Sequence, residues 1–213
     1  MKRYGIFSIV FMLILSANLS AQIRYGVHLK GGVSNFIEKN YTVGNVANYY
    51  TFLPSYNLGG DIIFPFSKAD SSNFRFISDF QFISGLDFGI YGAQNNVPKR
   101  WYTLPEWKGP TKWNERLYSL SVPLKLNFKF EKWVHIYGGV VNTFNVAKNK
   151  ELSYKIVSLY TLNFTGGIDF LIYDRFVIGA SYYRNLTHTW KYIPEDKIFY
   201  YVEQFSVKIG YVF

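Results

Sequence analysis

The chain contains no cysteine, which excludes disulfides, thiolate nucleophiles and acylation of an N-terminal cysteine. It has no long hydrophobic run either, because the longest comparable stretch, Ile6 to Leu15, is ten residues, and a membrane-spanning helix needs about 20. Low hydrophobicity, the mark of disordered chains, is also absent: 49% of the 213 residues are hydrophobic and 21% are aromatic. Disulfide-rich, helical membrane and disordered proteins are therefore excluded.

The N-terminus has the three parts of a secretory signal. Lys2 and Arg3 form a basic segment, Ile6 to Leu15 an apolar segment, and Ser16 to Ala21 a stretch of small residues suited to cleavage. A membrane anchor helix is the alternative, but ten apolar residues are too few to span the hydrocarbon layer. The sequence predicts a signal peptide at residues 1–21, cleaved after Ala21, and one mature domain at residues 22–213.

Beyond the signal, apolar residues recur at every second position, which is the period of a β-strand. The segment Tyr118 to Phe130 shows it best, since every second residue is aromatic or aliphatic and those between are mostly serine, asparagine and lysine. The same pattern predicts eight strands in all. They are Ile23 to Val33, Ser55 to Phe66, Phe74 to Ile83, Tyr118 to Phe130, Val134 to Phe144, Tyr160 to Ile172, Phe176 to Tyr183 and Phe199 to Phe213.

The connections between these strands alternate between short and long. Those at Ser67 to Asn73, Glu131 to Trp133 and Tyr173 to Arg175 are short, and the longest of the others runs from about Asp87 to Arg116. Short turns at one end and long loops at the other are typical of outer-membrane barrels. We predict an all-β, eight-stranded, antiparallel up-and-down transmembrane barrel, closed by its first and last strands, with both termini in the periplasm.

The alternation has to be assigned to an outer and an inner face. A soluble, lipocalin-like barrel would hold the apolar face inside, but eight strands enclose too little space for so many large side chains. We therefore expect the apolar face outside and the glycine-rich, charged face in the lumen. The predicted lumen charge network comprises Arg24, His28, Lys30, Asp61, Arg75, Asp79, Lys125, Lys129, Asp169 and Lys208.

Two interpretations of this lumen stay open at the level of sequence. Rings of positive side chains line pores for anions, so the barrel could be a small porin-like channel with anion preference. Eight-stranded interiors are normally filled by side chains, however, and buried charges have to be paired or hydrated. The preferred expectation is a lumen plugged by ion pairs.

The last strand ends on an aromatic residue that is preceded by alternating apolar positions. This resembles the signal by which barrel-insertion machinery recognises outer-membrane proteins. The residues of the predicted insertion signal are Phe205, Val207, Ile209, Tyr211 and Phe213.

Other strand motifs point to a family. Tyr118 to Leu126 (YSLSVPLKL), Ile136 to Gly139 (IYGG), Phe164 to Phe170 (FTGGIDF) and Tyr182 to Leu186 (YYRNL) together resemble the PorT-type outer-membrane β-barrel domain family of Bacteroidota. The resemblance covers essentially the whole mature chain. It implies an outer-membrane location and a structural, assembly or secretion-associated role, since the family includes a component required for type IX protein secretion. It implies no catalytic residue.

The longest predicted loop interleaves basic and aromatic residues. Such residues can pair with lipid phosphates and stack on sugars, so we expect contact with outer-membrane lipid, lipopolysaccharide or a membrane protein partner, and not with nucleic acid. A solvated loop is the alternative. The residues are Lys99, Arg100, Trp101, Trp107, Lys108, Lys112 and Trp113.

The sequence has few residues that could form a catalytic or cofactor-binding site. Some small outer-membrane barrels modify lipids, and His188 lies near Glu195 with Ser181 several residues before it. Three scattered histidines without cysteine form no recognisable metal-ligand spacing, and no phosphate-binding or dinucleotide motif is present. We expect no cofactor and no enzymatic activity.

Overall fold

The computed structural model describes residues 23–40, 50–65, 80–96, 112–149, 156–191 and 198–213. Among these residues no helix is long and apolar enough to cross a membrane. The predicted signal peptide lies outside the described residues. The strands are β1 (Arg24–Asn40), β2 (Tyr50–Pro65), β3 (Phe80–Asn96), β4 (Lys112–Lys129), β5 (Val134–Lys148), β6 (Ile156–Val157), β7 (Tyr160–Ile172), β8 (Phe176–Asn185), β9 (Trp190–Lys191) and β10 (Ile198–Val212).

Eight long strands close into a barrel. Each pairs antiparallel with its neighbours in the order β1-β2-β3-β4-β5-β7-β8-β10, and β10 pairs back with β1, from Gly26 opposite Val212 to Asn40 opposite Ile198. The two-residue strands β6 and β9 pair with each other, and β9 also pairs with β10. The predicted fold, a closed eight-stranded antiparallel barrel, is confirmed.

The two ends of the barrel differ. At the turn end, which carries both chain ends of the barrel, residues 131–133 and 173–175 connect strands as predicted. Tyr173 and Asp174 have φ angles of 51° and 57°, the left-handed conformation of tight hairpin turns. The opposite end, where β3 and β4 reach Asn96 and Lys112, is the loop end. The predicted turn at Ser67 to Asn73 lies outside the described residues.

Most strands continue further toward the loop end than predicted. The strand expected at Phe74 to Ile83 is β3, which spans Phe80–Asn96, and residues 74–79 lie outside the described part. The prediction of a loop from Asp87 to Arg116 is wrong at both ends. Its first ten residues belong to β3, and Lys112 to Arg116 belong to β4. The cause is a reversal of the alternation: near the loop end the apolar side chains point inward.

Candidate functional site: the barrel interior

Seven charged or titratable side chains meet at one level of the interior, and we call them the charged layer. Most face a glycine on an adjoining strand: His28 and Asp87 lie opposite Gly59, Lys125 opposite Gly139, and Asp169 opposite Gly179. Glycine leaves room for the long side chain across from it. The charged layer consists of His28, Lys30, Asp61, Asp87, Lys125, Asp169 and Lys208.

His28 is at the centre of one half of the charged layer. Its Nδ1 lies 3.0 Å from Oδ2 of Asp61, and its Nε2 lies 3.1 Å from Oδ1 of Asp87. The side chains of all three are at least 88% buried. The imidazole therefore bridges two carboxylates that belong to different strands, and it ties β1 to β2 and β3.

Lysines complete the layer. Lys30 donates to Asp87 over 2.7 Å and Lys125 to Asp61 over 3.2 Å, while Lys208 pairs with Asp169 on the other side of the barrel. The ring of Tyr137 lies between the two halves, 5.4 Å from Nζ of Lys125 and 5.3 Å from Nζ of Lys208. Three lysines thus face three aspartates, which is the pairing that buried charges require.

The charged side chains are packed closely against two glycines of the inner face. A Cβ atom at Gly59 would overlap the Asp87 carboxylate and lie 2.9 Å from Nε2 of His28. A Cβ at Gly179 would overlap the Asp169 carboxylate in the same way. At Gly59 and Gly179 the glycine therefore supplies the volume that a charged side chain occupies.

An apolar region, which we call the aromatic layer, fills the interior on the loop-end side of the charges. Tyr91 and Tyr183 stack with ring centroids 5.3 Å apart and planes inclined by 9°. Tyr50 makes edge contacts with Phe36 and Tyr200, both at 5.7 Å. The aromatic layer consists of Phe36, Tyr50, Tyr91, Ala93, Leu117, Val141, Tyr183, Tyr200 and Val202. The expectation of a polar, glycine-rich lumen is thus wrong for this half of the barrel.

A smaller apolar cluster lies at the turn end. Ile63, Ile83, Val177 and Val212 are all buried there, with Leu171 packed against them. The charged layer therefore lies between two apolar regions, in the order turn-end cluster, charged layer, aromatic layer. This arrangement separates the charges from the water at either mouth of the barrel.

Polar side chains connect the charged layer to the aromatic layer. Asn57 donates to the Tyr91 hydroxyl over 2.7 Å and accepts from Gln204 over 2.8 Å. The hydroxyl of Thr143 contacts those of Ser121 and Tyr183 at 2.9 and 3.2 Å. A cavity of about 20 Å³ lies among these groups, bounded by Lys30 and other members of both layers. This is room for about one water molecule.

The structure brings together six of the ten residues of the predicted lumen network, namely His28, Lys30, Asp61, Lys125, Asp169 and Lys208. Arg24 lies outside the layer, because its guanidinium donates to the backbone oxygen of Asp174 at the turn end. Lys129 is opposite His135 near that same end. Arg75 and Asp79 lie outside the described residues.

Asp87 is the member of the layer that sequence reasoning missed. The predicted loop begins at Asp87, although this residue follows Leu86 and precedes Phe88 in an alternating run. In the structure it is 4% exposed and contacts both His28 and Lys30. Extending the alternation from Phe82 through Phe88 would have placed its side chain in the lumen.

The predicted loop residues separate into two groups. Lys99, Arg100, Trp101, Trp107 and Lys108 lie outside the described residues. Lys112 and Trp113 are in strand β4 and not in a loop, which corrects that assignment. The indole of Trp113 donates to the buried carboxylate of Glu115 over 3.0 Å, so this ring belongs to the loop-end rim of the barrel.

The residues of the predicted insertion signal lie along β10 and its end. Phe205, Val207, Ile209 and Phe213 point outward and are 50–70% exposed, and Tyr211 contacts the rings of Phe176 and Phe213 on the same surface.

The residues considered for catalysis do not assemble in the described part of the chain. The Ser181 hydroxyl is hydrogen-bonded to that of Ser206 at 2.7 Å, while the ring of His188 packs on Phe199 near the loop end. Glu195 lies outside the described residues. Among the described residues, no three His, Cys, Asp or Glu side chains are grouped so that they could hold a metal ion.

Solved structures of bacterial outer-membrane barrels are similar to this one. Neisserial surface protein A matches over 88% of this chain and 96% of its own, with 12% identity and a TM-score of 0.50. Ail, the attachment invasion locus protein of Yersinia pestis, matches over 89% and 99% with 15% identity and a TM-score of 0.44. OprG of Pseudomonas aeruginosa matches over 91% and 98% with 13% identity and a TM-score of 0.46. At such identities the likeness concerns the fold alone.

Sequence comparison adds no family. No protein-family model matches the chain, and none of the curated proteins matches it significantly.

Proposed function

We propose that this chain is an integral barrel of a Gram-negative outer membrane whose interior is plugged and whose loop end binds partners. The single observation that carries the proposal is the interior itself. Charges that would attract ions into a pore are paired with one another, and apolar clusters lie on both sides of them. Such a barrel serves as an anchor in the membrane and not as a path through it.

The outer surface supports the membrane location. Among the described residues, 30 large hydrophobic side chains are exposed, among them Leu58, Leu126 and Ile136. Monomeric soluble proteins rarely expose contiguous apolar patches of more than a few hundred Å². Along β10 the apolar outward positions run for nine residues, from Phe205 to Phe213, which is the length of a transmembrane strand. The termini, at the turn end, would then be periplasmic.

Two observations support the proposal that the loop end binds partners: the polar side chains displayed there and the resemblance of the strand motifs to a known family. The loop end displays polar outward side chains such as Lys112, Asn114 and Arg116 above the apolar belt. The strand motifs resemble the PorT-type family, and on that basis we propose a structural, assembly or secretion-associated role, with lipopolysaccharide or another membrane protein as partner. A lipid-modifying enzyme is disfavoured, because the Ser181 hydroxyl is bonded to Ser206 and not to a base.

Conductance in planar lipid bilayers tests the proposal. Purified protein that shifts on a heat-modifiability gel, the mark of a folded barrel, should produce no stable ohmic openings. The double variant Tyr91→Ala and Tyr183→Ala serves as a comparison, because it removes the two stacked rings that fill part of the interior. Stable anion-preferring openings of the unmodified protein would overturn the plugged interior and establish the porin-like alternative, and a soluble protein without heat modifiability would end the membrane proposal.

A further inference from the structure

The outer face of β8 carries a shorter apolar run than that of its neighbour β7. The two runs begin at the same level, because Ile172 lies opposite Phe176. On β7 the outward positions stay free of charge over 13 residues, to Tyr160, whereas on β8 they end after seven residues at Tyr182, and Arg184 follows. A strand that crosses a membrane needs about 9–11 residues. The apolar part of β8 is therefore too short for the hydrocarbon layer.

Two opposite charges end the apolar surface on this side of the barrel. Arg184 on β8 and Glu203 on β10 are directly opposite each other, and they alternate with the buried Tyr183 and Gln204, so both point outward. Arg184 is exposed and Glu203 is half-buried. Among the described residues neither side chain makes a hydrogen bond or an ion pair. The wall thus offers a cation on one strand and an anion on the next.

This charge pattern is complementary to itself. A second copy that faces β8 and β10 in the same membrane orientation is related to the first by a two-fold axis along the membrane normal. That axis sets β8 of each copy against β10 of the other, so each Arg184 faces the Glu203 of the second copy. Nearer the turn end Ala180 faces Val207, because these residues are opposite each other within one chain and lie at nearly the same level. A contact in which both copies use the same patch is the usual form of a dimer.

The opposite wall lacks this complementarity. The described outward charges of β4 are Lys112 and Arg116, both cations. The outward positions of β3 near that end, Gly92, Gln94 and Asn96, carry no charge. A copy facing β3 and β4 would therefore find no anion among the described side chains of that wall.

We infer that the outer face of β8 and β10 binds a second copy of this chain, in a parallel dimer joined by two reciprocal Arg184–Glu203 pairs. The inference rests on the membrane location proposed above. In lipid, association is driven by packing and polar contacts, and an apolar stretch that is too short for the bilayer favours oligomers. The second copy covers the short run of β8, so that lipid no longer has to thin around it.

Energy transfer between donor-labelled and acceptor-labelled copies of the full chain in lipid vesicles tests the dimer. Lys132→Cys, in the exposed turn after β4, provides the label site, because the chain has no cysteine of its own. The protein with an unmodified interface should show transfer that persists on dilution with lipid and has the stoichiometry of a dimer. Arg184→Glu and Glu203→Arg each set like charges against each other in both contacts, and each should raise the dissociation constant about tenfold or more.

Mixing the two variants distinguishes contacts between chains from contacts within one chain. Inside either variant, positions 184 and 203 carry charges of the same sign. Between Arg184→Glu and Glu203→Arg copies, each contact again joins a cation and an anion, so transfer between them should return to the level of the unmodified interface. If each variant dissociates and the mixture also stays dissociated, the reciprocal pairing is wrong.

Changes on the opposite wall provide controls. Arg116→Glu and Ser84→Phe, at outward positions of β4 and β3, should leave transfer unchanged, whereas Ala180→Phe on the inferred interface should weaken it. A protein that is monomeric at every protein-to-lipid ratio, or one whose transfer falls equally with Arg116→Glu and Arg184→Glu, would overturn the dimer. Heat modifiability is measured on every sample, so loss of the barrel, which contradicts the membrane proposal, is distinguished from loss of the dimer.

Discussion

The charged layer and the aromatic layer occupy neighbouring levels of the same barrel, yet they are built on opposite rules. At the level of the charges, polar side chains point inward and apolar ones outward, as with Lys125 inside and Leu126 outside. At the loop end Leu117 is 1% exposed inside the barrel, while Lys112 and Asn114 point outward and are exposed. The strands run without a break from one layer to the other. The two layers therefore differ in which side chains point inward and not in the course of the backbone.

With the membrane location proposed above, the reversal marks the place where the surroundings of the barrel change from lipid to water. A wall in hydrocarbon needs apolar outward residues, and the lumen then receives the polar ones. A wall in water can be polar outside, and the interior then holds the apolar core of an ordinary protein. Under that proposal, the boundary of the membrane would lie near Arg184 and Glu203, where the first charges appear on the outer face of β8 and β10.

The largest effect is expected from breaking one ion pair of the charged layer. Asp169→Ala leaves the ammonium group of Lys208 buried without its partner. Removing one member of a buried pair destabilises by about 3–5 kcal/mol. The free energy of unfolding, measured by urea titration in lipid vesicles with tryptophan fluorescence, should fall by that amount.

A double variant is the control for this prediction. Asp169→Leu combined with Lys208→Met replaces both charges by apolar side chains, and such replacements are often neutral or stabilising. Most of the lost stability should therefore return. If Asp169→Ala lowers the free energy of unfolding by less than about 1 kcal/mol, the typical value of a surface pair, the charged layer is hydrated and the contrast with the aromatic layer is wrong.

A smaller effect is expected from adding one methyl group to the charged layer. Gly59→Ala places a Cβ against the Asp87 carboxylate and His28, and overpacking of this kind costs about 1–3 kcal/mol. Gly138→Ala on the outer face is the matched control, because a Cβ there meets nothing within 4 Å. Both are measured by the same urea titration, and equal effects would show that the charged layer is loosely packed.

The sequence predicted the barrel because its central strands alternate without interruption. The strand predicted at Tyr160 to Ile172 has the bounds of β7 in the structure. Hydrophobic contrast is strongest where one face meets lipid and the other meets charge, so the period of two is easy to detect there. The same contrast placed six charged residues on the inner face correctly.

The loop end was harder to predict because two of its properties weaken the signal. Near the loop end the apolar side chains point inward, as Tyr91, Ala93 and Leu117 do. Nearer the turn end the apolar side chains of the same strands point outward, so the two sets do not follow one continuous period of two. Tyr50 to Leu53 are further obscured by a shift in strand register between Phe52 and Tyr56. Neither property can be recognised from one sequence until the pairing of the strands is known. Asp87 is a different case, because the alternation from Phe82 to Phe88 is regular and by itself places Asp87 on the inner face.

The last comparison is made where the two layers meet, at the hydroxyl groups of the stacked tyrosines, and the smallest effect of all is expected at Tyr183. Tyr91→Phe leaves the Asn57 amide without the acceptor it contacts at 2.7 Å, and a buried donor without a partner costs about 1–3 kcal/mol. Tyr183→Phe removes a 3.2 Å contact to Thr143.

The stacked rings remain in both variants, so the difference between them isolates the hydroxyl groups. Thr143 keeps Ser121 at 2.9 Å and Asn163 at 2.8 Å after the loss of the Tyr183 hydroxyl, and the expected decrease in the free energy of unfolding is therefore only about 0.5–1.5 kcal/mol. Urea titration of both variants should rank Tyr91→Phe as the more destabilising. The reverse order would contradict this prediction, because the contact of the Tyr183 hydroxyl with Thr143 would then contribute more to stability than the contact of the Tyr91 hydroxyl with Asn57.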